Sequence, residues 1–187
     1  MAGADLPAMS SAGSGNNALT AILPIWAVQD FLSCTETEVL TSIGLSHLIT
    51  AMIKTHTGKL SAVCSCSVAA GAGAAAGIAR LLGGGQEAIA AAVNNLIADL
   101  GGTLCDGAKP GCALKLSTAS GAAVQAALLA VQGVSISPRE GFQGESSEAT
   151  IRNLGIISRQ GMNETDRTIL EIMLEKVEQG QNHAAHH

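Results

Sequence analysis

An all-α fold is what this sequence predicts, and three observations predict it. Apolar residues fall at positions 39, 40, 43, 45, 48, 49, 52 and 53, which is the three-and-four spacing of one broad helix face. No segment sustains the apolar–polar alternation of a half-buried strand, whereas Ala- and Gly-rich runs end at glycine stops. Nearly half the chain (47%) is apolar, yet it holds no Tyr, two Phe and one Trp. A core of Ala, Gly, Leu and Ile must bring backbones close together, which suits a compact multi-helix domain packed through small residues.

Each element follows from local signals. The opening "MAGADLPAMSSAGSGNNALTAILPIW" is a Gly/Ser/Asn loop that enters an apolar helix at about Leu19, with an interruption expected at Pro24. "TETE" (35–38) has the form of a capping box, in which Thr35 accepts from the backbone at 38 and Glu38 reaches back. The helix it opens closes at "HTGK". A small-residue helix is expected from about Leu60 to Leu82, stopped by "GGG" (83–85), and another from about Glu87 to Leu100. After the loop "LCDGAKPGC" (104–112), a further helix runs from about Ala113 to Val131. Residues 132–146 carry turn formers, and two more charged helices follow near 147–159 and 164–178, the last preceded by the capping signal "NETD". Residues 1–178 are expected to form one domain, with 179–187 as a disordered tail.

Bulk properties exclude some partners. A formal charge of −5 and a pI near 5.4 argue against nucleic acid and against an anionic membrane surface, both of which call for a basic face. The stretch "CSVAAGAGAAAGIA" (66–79) is too short to span a membrane and is closed by Arg80, so a buried helix is expected. With no secretory signal visible, the five cysteines are expected to be reduced thiols of a cytoplasmic protein.

Chemistry is concentrated in a few stretches. Cys105 and Cys112 flank Gly107, Lys109, Pro110 and Gly111, which can bend the backbone so that the two sulfurs converge, with Lys109 favouring the thiolate. Soft thiolates select zinc, copper(I) or iron–sulfur centres. A C-x₆-C pair alone matches neither zinc knuckles nor the ferredoxin run, so free thiols remain an open alternative. "SSAGSGNN" (10–17) combines flexible backbone with hydroxyl and amide side chains ahead of a helix, a plausible cradle for carboxylate or phosphate. It lacks the Gly-Lys-Ser/Thr of a P-loop, and a merely polar segment is the alternative. "GAGAAAG" (71–77) looks like a dinucleotide fingerprint, but its surroundings are helical, so its glycines are expected to admit a neighbouring helix. His47 and His56 could each serve as a base or simply pack. His183, His186 and His187 form a loose terminal cluster.

Several of these stretches occur together in one order: "MSSAGSGNNALTAILPI", "LSHLITAMIKTHTGKLSAVC", "GAAAGIARLLGG", "GTLCDGAKPGCALKLSTASGAAVQAALLAVQG" and "NETDRTILEIM". In that order the chain resembles the iron–sulfur L-cysteine desulfidase family, also described as serine dehydratase subunit alpha-like, over roughly residues 3–178. The resemblance implies a lyase that uses a [4Fe–4S] cluster held by Cys64, Cys105 and Cys112, with Cys66 as a lower-ranked alternative to Cys64 and with Cys34 as a buried thiol outside the set. It implies that Ser11, Gly13, Ser14, Gly15 and Asn16 hold the carboxylate of a small amino acid, L-cysteine or L-serine, which is converted to pyruvate and ammonia. Two positions depart from the family pattern: Asn17-Ala18 stands where Gln-Gly is usual, and Ser65 where glycine follows the first ligand. Only the C-terminal half of such proteins is covered, so the base is expected in an N-terminal half or partner subunit. A homo-oligomer is compatible with the same reading, as is a non-catalytic helical scaffold or a zinc site at the same three cysteines.

Overall fold

Small side chains decide the architecture. Residues 69–79 hold only Ala and Gly apart from Ile78, and all of them are buried. They form α3 (Ala69–Leu81), the axis of the fold. Around it stand α1 (Gly15–Gln29), α2 (Glu36–Thr57), α4 (Gln86–Leu100) and α5 (Cys112–Val131), each packed directly against it. The next helix, α6 (Ser147–Ile156), lies on α2 and α4, and a π-helical turn, Ile157–Gly161, leads into α7 (Asn163–Ala184). The computed structural model describes residues 4–58 and 60–184, and these contain seven α-helices and no strand, the expected all-α domain.

Glycine is required where α2 crosses α3. A methyl group on Gly73 would stand 2.4 Å from the Ser46 carbonyl oxygen and 2.5 Å from Thr50 Oγ1. One on Gly77 would stand 2.4 Å from Ile25 Cδ1 and 2.7 Å from the Ser42 carbonyl oxygen. The glycines of 71–77 are therefore packing notches. The facing stripe of α2 is small and polar to match, with Ser42, Ser46 and Thr50 fully buried between Val39 and Ile53. Here the structure corrects the broad apolar face read from the sequence: Leu40 and Leu48 are 55% and 70% exposed. Close backbone approach, rather than apolar area, selects the side of α2 that faces inward.

Helix ends differ from expectation for identifiable reasons. The first helix, α1, begins at Gly15 rather than near Leu19, because the Ser14 side chain accepts the Asn17 N–H as its cap. It also runs through Pro24 without interruption. An interior proline costs about 3 kcal/mol, and burial of Ala21, Pro24 and Ile25 against the core offsets it. The Thr35–Glu38 capping box forms in both directions. The small-residue helix starts at Ala69, not Leu60, because the residues before it form a loop that carries two cysteines. At the other end, α7 continues to Ala184, through part of the 179–187 tail, while His186 and His187 lie outside the described residues. By length and composition α5 could cross a membrane, but here Ala123, Ala127 and Ala130 are buried in the core with α3 and α4.

Candidate functional site

A single antiparallel bridge, Val63 to Leu104, joins the two cysteine-bearing loops. The Cys64 N–H donates to the Thr103 carbonyl at 2.8 Å, and the Cys105 N–H donates to the Ala62 carbonyl at 2.6 Å. These bonds bring Cys64 and Cys105 together across the two strands of chain. Cys66 follows in the turn that leads into α3, where the N–H groups of Ser67 and Val68 both return to the Cys64 carbonyl, at 3.2 and 2.9 Å. Cys112 is the first residue of α5, and its thiol donates to the Gly107 carbonyl at 3.6 Å. Gly107 has φ +88°, so the reversal between Cys105 and Cys112 needs glycine.

Four thiols thus share one place. Cys64, Cys66 and Cys112 are buried together with Leu116, half-buried Cys105 packs against them, and all five cysteines of the chain are free. The sulfurs of Cys64 and Cys66 are 3.2 Å apart. Hydrogen bonds from Cys105 and then Cys66 hold the Cys64 thiol far below its usual range, with Ser67 adding to the effect at 3.5 Å. Acting as donors to Cys64 raises both Cys66 and Cys105, and burial raises them further. The lysine expected to favour a thiolate, Lys109, is instead paired with Asp106. The charges of Lys115 and Lys54 both reach Cys105; the Lys115 ammonium donates to the Leu104 carbonyl at 2.7 Å and to Asp106 at 2.9 Å.

Beside the thiols sits the polar loop. Ser11 and Ser14 exchange backbone hydrogen bonds of 3.0 and 3.1 Å around Ala12 (φ +48°) and Gly13 (φ +84°). Positive φ at both central residues defines a primed two-residue turn. Ala12 pays about 1–2 kcal/mol to adopt it. Asn17 then ties this turn to the cysteine loop. Fully buried, it donates to the Ser11 carbonyl at 3.3 Å and accepts the Ser65 hydroxyl at 3.0 Å. His47 contacts the Ser11 hydroxyl through Nδ1 at 2.8 Å. The stretch 10–17 read as a cradle ends on Asn17, but the residues assigned to the carboxylate stop at Asn16; the structure gives Asn17 the linking role instead. Asn17→Ala is expected to lower stability by about 2 kcal/mol by leaving buried partners unsatisfied. Chemical denaturation checks this, and an unchanged midpoint contradicts it.

Turn and thiols line a cleft with a cavity volume of about 390 Å³, within the range of small-molecule sites. Of the five expected turn residues, Gly13, Ser14 and Asn16 line it; Ser11 is buried at the base of the turn and Gly15 is the first residue of α1. Cys64, Cys66, Cys105 and Cys112 all reach the cleft, and Ile169 and Met173 of α7 close one side. Cys34, half-buried between α1 and α2 with its thiol 3.9 Å from the Leu32 carbonyl, does not join them. Among the described residues, no three Cys, His, Asp or Glu side chains are arranged to hold a single metal ion. The donor set nonetheless fits an iron–sulfur cluster in its chemistry: several soft sulfur donors from two cross-linked loops, free of disulfides and lining one cleft.

A helical domain that gathers four thiols beside a polar, glycine-containing turn is the class that fold and site define. The chain belongs to the serine dehydratase alpha chain family, which matches residues 1–171. It is 58% identical over 180 residues to a UPF0597 protein of Desulfotalea psychrophila, covering 96% of this chain and 41% of that protein. A UPF0597 protein of Desulfatibacillum aliphaticivorans is 62% identical over 176 residues (94% and 40%), and one of Clostridioides difficile 50% identical over 173 residues (92% and 40%). The chain therefore spans about two-fifths of the length of these relatives. No solved structure matches it.

Proposed function

We propose that this chain is the thiol-bearing portion of a lyase that eliminates the β-substituent of a small amino acid, giving pyruvate and ammonia. L-Cysteine, releasing sulfide, is the favoured substrate, and L-serine, releasing water, is the alternative. The observation that carries the proposal is the meeting of Cys64, Cys105 and Cys112 with the Ser14–Asn16 end of α1 in one cleft. Membership of the serine dehydratase alpha chain family supports it.

In this reading the three cysteines hold a [4Fe–4S] cluster, which when bound supplies a Lewis acid for the substrate and its leaving group. The chain's own residues bind and orient. The backbone N–H groups of Gly15 and Asn16 lie in the first turn of α1, where a helix leaves its donors unpaired and favours an anion. Ser14 uses its oxygen as acceptor for the cap, so its hydroxyl proton is available to the substrate carboxylate. Gly13 leaves open space on that side, since a side chain there meets nothing within 4 Å. Ile169 and Met173 give one wall an apolar surface. The α-proton is assigned to a base in the remaining portion of the protein or in a partner subunit, and the site is placed in the cytoplasm, where thiols stay reduced.

The test is iron and acid-labile sulfide per chain after anaerobic reconstitution, followed by pyruvate release from cysteine and serine with the remaining portion supplied. About four of each is expected for a [4Fe–4S] centre. Asn16→Ala, which keeps the backbone N–H but removes the side-chain amide lining the cleft, is expected to retain the iron and to raise KM about tenfold, the cost of one charge-assisted hydrogen bond from that amide to the substrate carboxylate. Loss of the cluster in that variant would assign the turn a structural role. Full iron content with no turnover would favour the scaffold.

A further inference from the structure

The geometry points to Cys64 and Cys66 as a disulfide-forming pair, a reversible modification site at the floor of the cleft. Their sulfurs already stand 3.2 Å apart, and a disulfide needs about 2.0 Å. The remaining distance is small enough for side-chain rotation to close it. Both cysteines lie in one tight turn, fixed by the return of the Ser67 and Val68 N–H groups to the Cys64 carbonyl. Cys105 competes for Cys64, but it sits on the other loop, held by its own backbone bond to Ala62. Both sulfurs of the pair line the cleft, so a small oxidant reaches them although the residues are only 2% and 7% exposed.

The step balances with a peroxide as oxidant. The Cys64 sulfur attacks one peroxide oxygen, the O–O bond breaks, and Cys64 becomes a sulfenic acid with release of water. Cys66 then attacks that sulfur, the S–O bond breaks, and a second water leaves. In sum, two thiols and one hydrogen peroxide give one disulfide and two waters. A bridge closing so short a loop gains little from chain entropy and is readily reduced, as strained regulatory disulfides are. Its consequence rests on the function proposed above: once bridged, Cys64 is withdrawn as a ligand, so cluster loading waits on a dithiol reductant.

The experiment treats the metal-free chain, residues 1–187, with one equivalent of hydrogen peroxide, blocks the remaining thiols and digests with trypsin. Residues 60–80 form one peptide, which contains Cys64 and Cys66 and no other cysteine. That peptide is expected to become two hydrogens lighter, to recover its mass with dithiothreitol, and to keep it in Cys66→Ser. A link from Cys64 to Cys105, or two unoxidised thiols in 60–80 while other cysteines react, overturns the proposal. A bridge that forms in a chain which, once reduced, takes up no iron supports the pairing and separately sinks the lyase assignment.

Discussion

Cys112→Ala, reconstituted anaerobically, is expected to retain less than a tenth of the wild-type iron and sulfide, and Cys105→Ala the same. The fourth thiol, Cys66, lies on the Cys64 loop, 3.2 Å from the Cys64 sulfur, and so stands in for Cys64 rather than for either of these. Cys105 is fixed by its backbone bond to Ala62, and Cys112 by its place at the start of α5, with Gly107 setting the reversal between them. Alanine at either leaves two of three proposed ligands, and a thiolate-held cluster cannot be completed by the hydroxyls and amides of the turn. Cys64 is different, because Cys66 lies 3.2 Å away and can take over its role. Cys64→Ala is therefore expected to lose only part of the iron, and the Cys64→Ala/Cys66→Ala pair all of it. Cys34→Ala supplies the control. It sits between α1 and α2, apart from the other thiols, and should retain the full complement. Iron loss in Cys34→Ala equal to that in Cys112→Ala would falsify the ligand assignment.

Much of this was legible in the sequence, and the misses share a physical cause. Capping signals such as Thr35 and Glu38 depend on neighbours within one turn, so they could be read without knowing the fold. The glycine notches of 71–77 were legible for a related reason: a helix that rich in Gly and Ala can bury itself only against a backbone. Three features depend on partners far along the chain. The bridge between Val63 and Leu104 has no periodic signature, so the Cys64–Cys66 turn was absorbed into a helix expected from Leu60. Asn17 earns its place only through Ser65, which lies on that same loop. The buried Ser42–Ser46–Thr50 stripe runs against the usual rule that apolar residues face inward, because closeness to α3 matters more there than apolar area. Local chemistry was visible; contacts set by tertiary approach were not.

Gly73→Ala is expected to cost about 3 kcal/mol, the upper end for an overpacked core, while Gly121→Ala should add roughly 0.5–1 kcal/mol. On propensity alone both should help, since each replaces glycine inside a helix. Contact decides otherwise. At Gly121 a methyl group meets nothing within 4 Å. At Gly73 it would meet the Ser46 carbonyl oxygen at 2.4 Å, a backbone atom that cannot swing aside as a side-chain end can. Relief requires α2 to move off α3. That movement reaches the cleft: α2 carries His47, which holds Ser11, and Lys54, which lines the cavity, while α3 begins just beyond the Cys64–Cys66 turn. Gly73→Ala should therefore bind iron less tightly as well as unfold earlier in urea, and Gly121→Ala should match wild type in iron while unfolding later. Equal urea midpoints for the two variants would mean that the α2–α3 contact is looser than these distances require, and that the cleft does not depend on it.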